Sequence, residues 1–189
     1  SWLSELSKDG SYTQFAIGHL QRVADGSVAD KAAKHIVRMT LYFTYLVRML
    51  QGPPKLRPAR PTDDEAVPVP EESIPALSGV PPAICRRLLS EFTERQEPVS
   101  GRVMFVKTSV LVDKLTIHML IVALFLSEFK LPLATLCSDL KKRPMELTVL
   151  LREVGCTYKK EKTDDGMGYT ATLKVPPTFP KPKKKRARA

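Results

Sequence analysis

Two helix-forming segments that each begin with proline repeat one another along the chain, and this repeat constrains the fold more than any other feature. The segment "PAICRRLLSEF" begins at Pro82, and "PMELTVLLREV" begins at Pro144. In both segments Leu-Leu follows six and seven positions after the proline, and Glu follows nine positions after it. Proline suits the first turn of a helix, and an internal repeat indicates a duplicated structural unit. The sequence therefore predicts two copies of one small unit.

The segments around each copy extend the repeat. A long apolar helix and a short helix are predicted before each Pro-led helix, and an alternating strand pattern is predicted after it. After the second copy, "CTYKKEK" and "YTATLKV" are predicted strands joined by the hairpin tip "TDDGMG". Three helices followed by a strand hairpin is the order of a winged helix. We therefore predict a mostly α chain with small β wings (α+β), built as a tandem winged helix.

These patterns also predict the domain organisation. The first winged helix is expected over residues 1–108, with N-terminal helices that begin at an N-cap, Ser11. It contains a Pro-rich, extended surface insertion at 52–72. The second winged helix is expected over 109–175, and a disordered basic tail over 176–189.

The net charge of +10 is concentrated in the last third of the chain. Residues 1–129 carry 15 basic and 14 acidic side chains, whereas residues 130–162 carry eight basic and four acidic ones. The tail from Pro176 carries six basic side chains and no acidic one. A positive field of this kind attracts a polyanion such as nucleic acid. The alternative is an ordinary solvated surface followed by a flexible tail.

Several other functional classes find little support in the sequence. The three cysteines form no C-x-x-C pair, so we expect them to pack in the core, with no metal and no cofactor. No nucleophile–base motif is recognisable, so we predict that the chain is not an enzyme. The apolar run Leu115–Leu126 is too short to span a bilayer. It is interpreted as part of a buried helix, without a membrane partner.

The helix predicted at 144–154 is poorly suited to reading bases. Its periodicity places four apolar residues on the core face, namely Leu147, Leu150, Leu151 and Val154. The outward face is predicted to show Met145, Val149 and Arg152, flanked by Glu146, Thr148 and Glu153. Base reading in the major groove uses Arg, Lys, Asn or Gln, and Arg152 alone meets this requirement. Sequence-specific recognition by this helix is therefore not expected.

Basic residues on both sides of this helix indicate contacts with a phosphate backbone. They lie at the helix entry, on the helix and on the following strand: Lys141, Lys142, Arg143, Arg152, Lys159, Lys160 and Lys162. Contacts of this kind give affinity without sequence information. The alternative is a solvated basic turn and strand. In the first repeat the equivalent helix carries Arg86 and Arg87 among several glutamates, so it is interpreted as structural or protein-facing.

The tail "PKPKKKRARA" contains six positive charges within eight residues. They are Lys181, Lys183, Lys184, Lys185, Arg186 and Arg188. Such a run is typical of a nuclear import signal or of a nonspecific nucleic-acid arm. A merely solubilising tail is the alternative.

The segments "DKLTIHMLIVALFL" and "PLATLCSDLKKRPMELTVLLREVGCTYKK" resemble the C-terminal tandem winged-helix region of the TFIIE/TFIIF-like accessory subunit of RNA polymerase I. The resemblance implies a nuclear and nucleolar component of the polymerase that synthesises ribosomal RNA. Such a component binds double-stranded DNA near the cleft and aids initiation and elongation. The implied partners are other RNA polymerase I subunits and a dimerisation partner subunit. That partner is reached through a separate N-terminal module, which nothing in this chain matches.

Two alternatives remain at this point. One is a protein-docking scaffold in a transcription complex that never contacts DNA. The exposed positions predicted for Met145 and Val149 favour this alternative. The other is a winged-helix general initiation factor of a different nuclear polymerase. The residues alone do not distinguish such a factor from an accessory subunit of RNA polymerase I.

Overall fold

The computed structural model describes residues 12–59, 74–97, 103–163 and 166–174, together with Pro177 and Phe179; within these ranges, the side chains of 161–167 are not described. The chain divides into two compact units, with the boundary between Val122 and Ala123. Most of the described residues are helical, and two small antiparallel sheets accompany the helices. The prediction of a mostly α chain with small β wings is confirmed.

The described part of the first unit contains three helices, a short 3-10 turn and a three-stranded sheet. In chain order these are α1 (Gln14–Ala24), α2 (Asp30–Gln51), β1 (Lys55–Leu56), the 3-10 turn (Pro75–Leu77), α3 (Pro82–Phe92), β2 (Glu94–Gln96) and β3 (Met104–Val106). The strand order in the sheet is β1-β3-β2. The unit boundary falls within the next helix, α4 (Ser109–Leu126).

The second unit repeats this order after α4. Its elements are β4 (Lys130–Pro132), α5 (Leu133–Leu140), α6 (Pro144–Glu153), β5 (Cys156–Thr163) and β6 (Gly166–Leu173). The strand order is β4-β6-β5, so the last strand again lies between the other two. Each half therefore runs helix, strand, short helix, helix and two further strands, with the same pairing. Part of the predicted hairpin tip, residues 164–165, lies outside the described residues.

Local chemistry sets the ends of the N-terminal helices. The side chain of Thr13 accepts a hydrogen bond from the Ala16 N–H at 3.2 Å, so Thr13 is the N-cap of α1. The prediction of Ser11 as the cap was therefore wrong by two positions. Gly26, with φ of 69°, follows the end of α1, and α2 ends at Gly52 as predicted.

The prediction of an extended surface insertion from 52 to 72 is wrong at its beginning. Residues Lys55 and Leu56 form β1 and pair with Val106 and Phe105 of β3. Leu56 is fully buried, so this part of the chain contributes to the core. A two-residue strand is too short to show an alternating pattern, which is why the sequence did not predict it. The central part of the insertion, residues 60–73, lies outside the described residues.

The apolar run Leu115–Leu126 lies in α4, which is buried as predicted along one side. Leu115, Met119, Leu120 and Ala123 are inaccessible to solvent. By length and composition alone this 18-residue helix could cross a membrane, a property that it shares with core helices of globular proteins. Packing within the core accounts for these four side chains, whereas Val110 and Phe125 of the same helix are exposed.

A buried lysine closes the C-terminal end of α2. Lys107 is 7% exposed, and its ammonium donates to the carbonyls of Met49, Leu50 and Gly52 at 2.5, 3.3 and 2.7 Å. The last carbonyls of a helix lack partners within the helix, and a cation there also complements the helix dipole. Burial lowers the pKa of Lys107. Nothing in the sequence indicates this role, because Lys107 follows a predicted strand, as many surface lysines do.

Two histidines of the first unit are held in surroundings that favour their neutral form. His19 is buried edge-on against Phe15, and its Nδ1 has no hydrogen-bond partner among the described residues. His118 lies with its Nε2 3.0 Å from the hydroxyl of Tyr42, at hydrogen-bond distance. Burial lowers the pKa of His19, assisted by the charge of Arg22, and burial likewise lowers the pKa of His118.

These lowered pKa values predict that acid destabilises the first unit. The unfolded chain binds protons at the ordinary histidine pKa of 6.5, whereas the folded chain binds them only at lower pH. Stability is therefore full above pH 6.5 and falls as the pH decreases below it. We expect the midpoint of thermal unfolding to fall between pH 7.5 and pH 5.5, and to fall less in His19→Phe. An unchanged pH dependence in that variant would contradict the assignment to His19.

Candidate nucleic-acid interface

Helix α6 forms the frame of the candidate interface. Leu147 and Leu151 are buried, and Met145 and Val149 are 59% and 54% exposed on the opposite side, as predicted. The prediction for Thr148 was wrong, because this residue is buried and not on the flank of the exposed face. Its hydroxyl donates to the carbonyl of Met145 at 3.0 Å, so its polar group is satisfied inside the helix. Leu150 and Val154, predicted on the core face, are only half-buried.

The turn between α5 and α6 places three basic residues in succession at the start of α6. Lys141 ends α5 in the left-handed conformation, with φ of 51°. The N–H of Lys142 donates to the carbonyl of Cys137 at 3.1 Å, and the N–H of Lys141 donates to that of Ser138 at 3.3 Å. This is the Schellman pattern of a helix C-terminus, normally built on glycine. The backbone is thus fixed where the predicted basic group begins.

The three basic side chains of this turn differ in their availability. The ammonium of Lys142 lies 3.9 Å from the carboxylate of Glu146, and both side chains are partly exposed. An ion pair of this kind contributes little stability, but it offsets part of the local positive charge. Lys141 and Arg143 are exposed, and no carboxylate among the described residues lies within ion-pair distance of either. They are the stronger candidates for a phosphate contact.

Arg152 is held against the wing instead of pointing away from α6. Its guanidinium donates to the hydroxyl of Tyr158 at 2.6 Å and lies 5.2 Å from the centre of the same ring. The contact combines a hydrogen bond with a cation–π interaction. The guanidinium is therefore oriented by β5, although its other N–H groups retain their capacity to donate.

The lysines predicted as one group on β5 are separated by the structure. Lys159 pairs with Thr170, and Lys160 pairs with Tyr169. Successive side chains of a strand point to opposite faces, so the two exposed lysines lie on opposite faces of the hairpin. Lys162 occupies the strand position opposite Met167, and its side chain is outside the described part of the structure.

The position of β5 offers a second explanation for its lysines. This strand is an edge of the sheet, with one side paired to β6. Proteins commonly place lysines on edge strands to prevent pairing with other chains. The presence of Lys159, Lys160 and Lys162 on β5 therefore does not by itself indicate DNA binding, and only variants that separate the two roles decide between them.

Basic residues stand at both ends of α6, with Lys141 and Arg143 at its start and Arg152 in its last turn. The ten residues of α6 span about 15 Å at 1.5 Å per residue. The major groove of B-DNA is about 12 Å wide. Two groups of cations at this spacing can contact phosphates on both sides of a groove. The apolar side chains of Met145 and Val149, which lie between them, offer no hydrogen bonds to bases.

Other predicted features are structural or lie outside the described residues. Cys85 and Cys156 are buried and Cys137 is half-buried. Burial raises the pKa of the Cys137 and Cys156 thiols, which disfavours their reactive thiolate forms. Among the residues that the structure describes, no group of three or more His, Cys, Asp or Glu is placed to hold a metal ion. The predicted tail residues from Lys181 to Arg188 lie beyond the described part of the chain.

Two aromatic residues of the candidate interface were not predicted as site residues from the sequence. Tyr158 and Tyr169 lie on neighbouring strands, with ring centres 6.5 Å apart. Tyr158 is 39% exposed. The strand alternation of "CTYKKEK" already placed Tyr158 on the same face as Lys160, and this signal would have revealed the pair once the hairpin register was known.

Comparison with known proteins gives two matches. A family model described as A49-like RNA polymerase I associated factor matches residues 2–180. The chain is also similar to DNA-directed RNA polymerase I subunit rpa49 of Schizosaccharomyces pombe, with 31% identity over 123 residues. That alignment covers 59% of this chain and 28% of the relative, so the chain spans less than a third of the relative's length.

Proposed function

Because the chain belongs to the A49-like RNA polymerase I associated factors, we propose that it is a non-catalytic module that binds duplex DNA for this polymerase. In this proposal it supports initiation and elongation of ribosomal RNA synthesis in the nucleolus. Its partners are RNA polymerase I subunits, and a dimerisation partner is reached through sequence beyond this region. The binding is to the phosphate backbone and is independent of base sequence.

The placement of cations around α6 is the observation that carries this proposal. Lys141 and Arg143 are exposed at the start of the helix, Arg152 lies in its last turn, and Lys160 is exposed on β5, the strand that follows it. The outward face between them carries Met145 and Val149 in place of groups that read bases. The repeated element order and strand order support the assignment of both halves as winged helices.

Duplex affinity of matched charge-reversal variants tests the proposal. One variant changes Lys141, Arg143 and Lys160 to Glu. The control changes three exposed residues of α2 to Glu, namely Lys31, Lys34 and Arg38. Both change two lysines and one arginine, so their effects on net charge are equal. We expect the first variant to weaken duplex binding at least about tenfold in 0.1 M salt. The slope of log affinity against log salt concentration should fall by about three, one for each phosphate contact that is lost. Equal losses in both variants would refute the proposal.

Lys141→Gly adds a second check on the same interface. Glycine removes the positive charge and also relieves the left-handed backbone, so the fold is retained or stabilised by this change. Weaker duplex binding by Lys141→Gly therefore cannot be attributed to unfolding. The same variants are also compared in a chain that lacks the tail from Pro176. Duplex binding by the residues around α6 is then measured without the attraction of DNA to the six tail cations.

Protein docking is the second candidate function. Met145 and Val149 are exposed one turn apart on α6, and large apolar side chains on a surface commonly mark a protein interface. Replacing both with Ser tests this candidate. Docking predicts loss of polymerase association with unchanged duplex affinity, whereas the leading proposal places no binding energy in these two side chains.

A further inference from the structure

The wing of the second unit carries a row of aromatic and basic side chains on one face. Tyr158 and Lys160 are alternate residues of β5, and Tyr169 of β6 lies directly opposite Lys160. Because side chains alternate along a strand and pair across it, these three side chains share a face. Arg152 joins them from the end of α6 through its contact with the Tyr158 ring.

This row begins at the core and runs out to solvent. Next to it on the same face, Cys156 and Ala171 are buried, and Ala171 is the partner of Tyr158 in the strand register. Tyr158 is 39% exposed, Tyr169 is half-buried, and Lys160 is exposed. Two tyrosine rings are thus partly exposed to solvent, on a part of the wing where polar side chains could stand without any loss of stability.

The tyrosine rings, and not their hydroxyl groups, are the main binding element of this row. The hydroxyl of Tyr158 already accepts a hydrogen bond from Arg152 at 2.6 Å, which fixes the ring and the guanidinium together. Aromatic rings and arginine planes are the surfaces on which unpaired bases stack, and neighbouring cations contact the backbone of the strand. A duplex keeps its base faces stacked inside and cannot offer them to a ring.

We propose that the wing face formed by Arg152, Tyr158, Lys160 and Tyr169 binds single-stranded nucleic acid by stacking unpaired bases. Lys160 supplies the backbone contact on this face, whereas Lys159 points to the other face and contributes only through its general charge. This inference goes beyond duplex binding: it shares Arg152 and Lys160 with the proposed duplex interface, but it adds the two tyrosine rings and concerns a different form of nucleic acid.

Binding of the full 189-residue chain to two fluorescent single strands tests this site. One is a twelve-residue oligothymidylate, and the other is an abasic strand with the same number of phosphates. Stacking predicts that the oligothymidylate binds about tenfold more tightly. Equal affinity for the two strands would overturn the proposal, whatever the result with duplex DNA.

Tyrosine variants assign the difference to these rings. In Tyr158→Leu/Tyr169→Leu we expect the preference for the oligothymidylate to disappear while abasic binding stays within about twofold. In Tyr158→Phe/Tyr169→Phe the rings remain, so the preference should be retained. Thermal unfolding of each variant is measured alongside. A loss of preference in the Phe variant, or its retention in a folded Leu variant, would contradict stacking.

A matched pair of lysine variants covers the case in which the Leu variant does not fold. Lys159→Gln and Lys160→Gln remove the same charge from neighbouring positions and leave both rings in place. We expect Lys160→Gln to weaken oligothymidylate binding several-fold more than Lys159→Gln does. Equal effects of the two variants would show that lysines on either face of the hairpin contribute equally to binding, and would overturn the proposed site.

Discussion

Lys107→Met is expected to lower the free energy of unfolding by about 2–4 kcal/mol. Methionine fills a similar volume but leaves the carbonyls of Met49 and Gly52, now bonded to the buried ammonium, without a donor. A buried acceptor that loses its partner costs about 1–3 kcal/mol, and relief from burying the ammonium offsets part of the total. Urea unfolding followed by circular dichroism measures the change.

Lys114→Met is the matched control for this prediction. Its ammonium also donates to a backbone carbonyl, that of Glu91 at 2.9 Å, but the side chain is exposed and water can replace it. We expect a loss below about 1 kcal/mol from this variant. If both lysine variants lost the same stability, burial of Lys107 would have no special role at the end of α2.

Leu147→Ala is expected to destabilise the chain by about 2–5 kcal/mol. Leu147 is 0% exposed in α6, so the shorter side chain leaves a cavity in the core of the second unit. Val149→Ala, two positions along the same helix, removes an exposed side chain and is expected to change stability by less than about 0.5 kcal/mol. Urea unfolding of both variants measures the contrast, and similar losses would show that the buried face of α6 is assigned wrongly.

The helices were predictable because their signals are local. Pro82 and Pro144 stand at the first position of α3 and α6. A backbone N–H at this position would have no partner within the helix, so the N–H that proline lacks costs nothing there. The apolar period then placed Leu147 and Leu151 in the core, because burial of one face is what stabilises a short helix. Thr148 was misplaced because its hydroxyl bonds to the helix backbone, and a polarity pattern does not weigh that bond.

The features that escaped prediction depend on distant parts of the chain. Leu56 is buried because β3, about 50 residues later, pairs with its strand. Lys107 is buried because the carbonyls at the end of α2 accept hydrogen bonds from its ammonium. In the candidate interface, the basic residues were found from their spacing, but their division between two faces followed only from the register of β5 and β6.

The two ends of the Pro-rich connection in the first unit are both anchored. Leu56 precedes it and Ile74 follows it, and both side chains are buried. The cost of closing a loop between fixed ends rises only with the logarithm of its length, by about 0.6 kcal/mol for each doubling. Doubling the length of the chain between these anchors is therefore expected to cost the first unit little folding free energy.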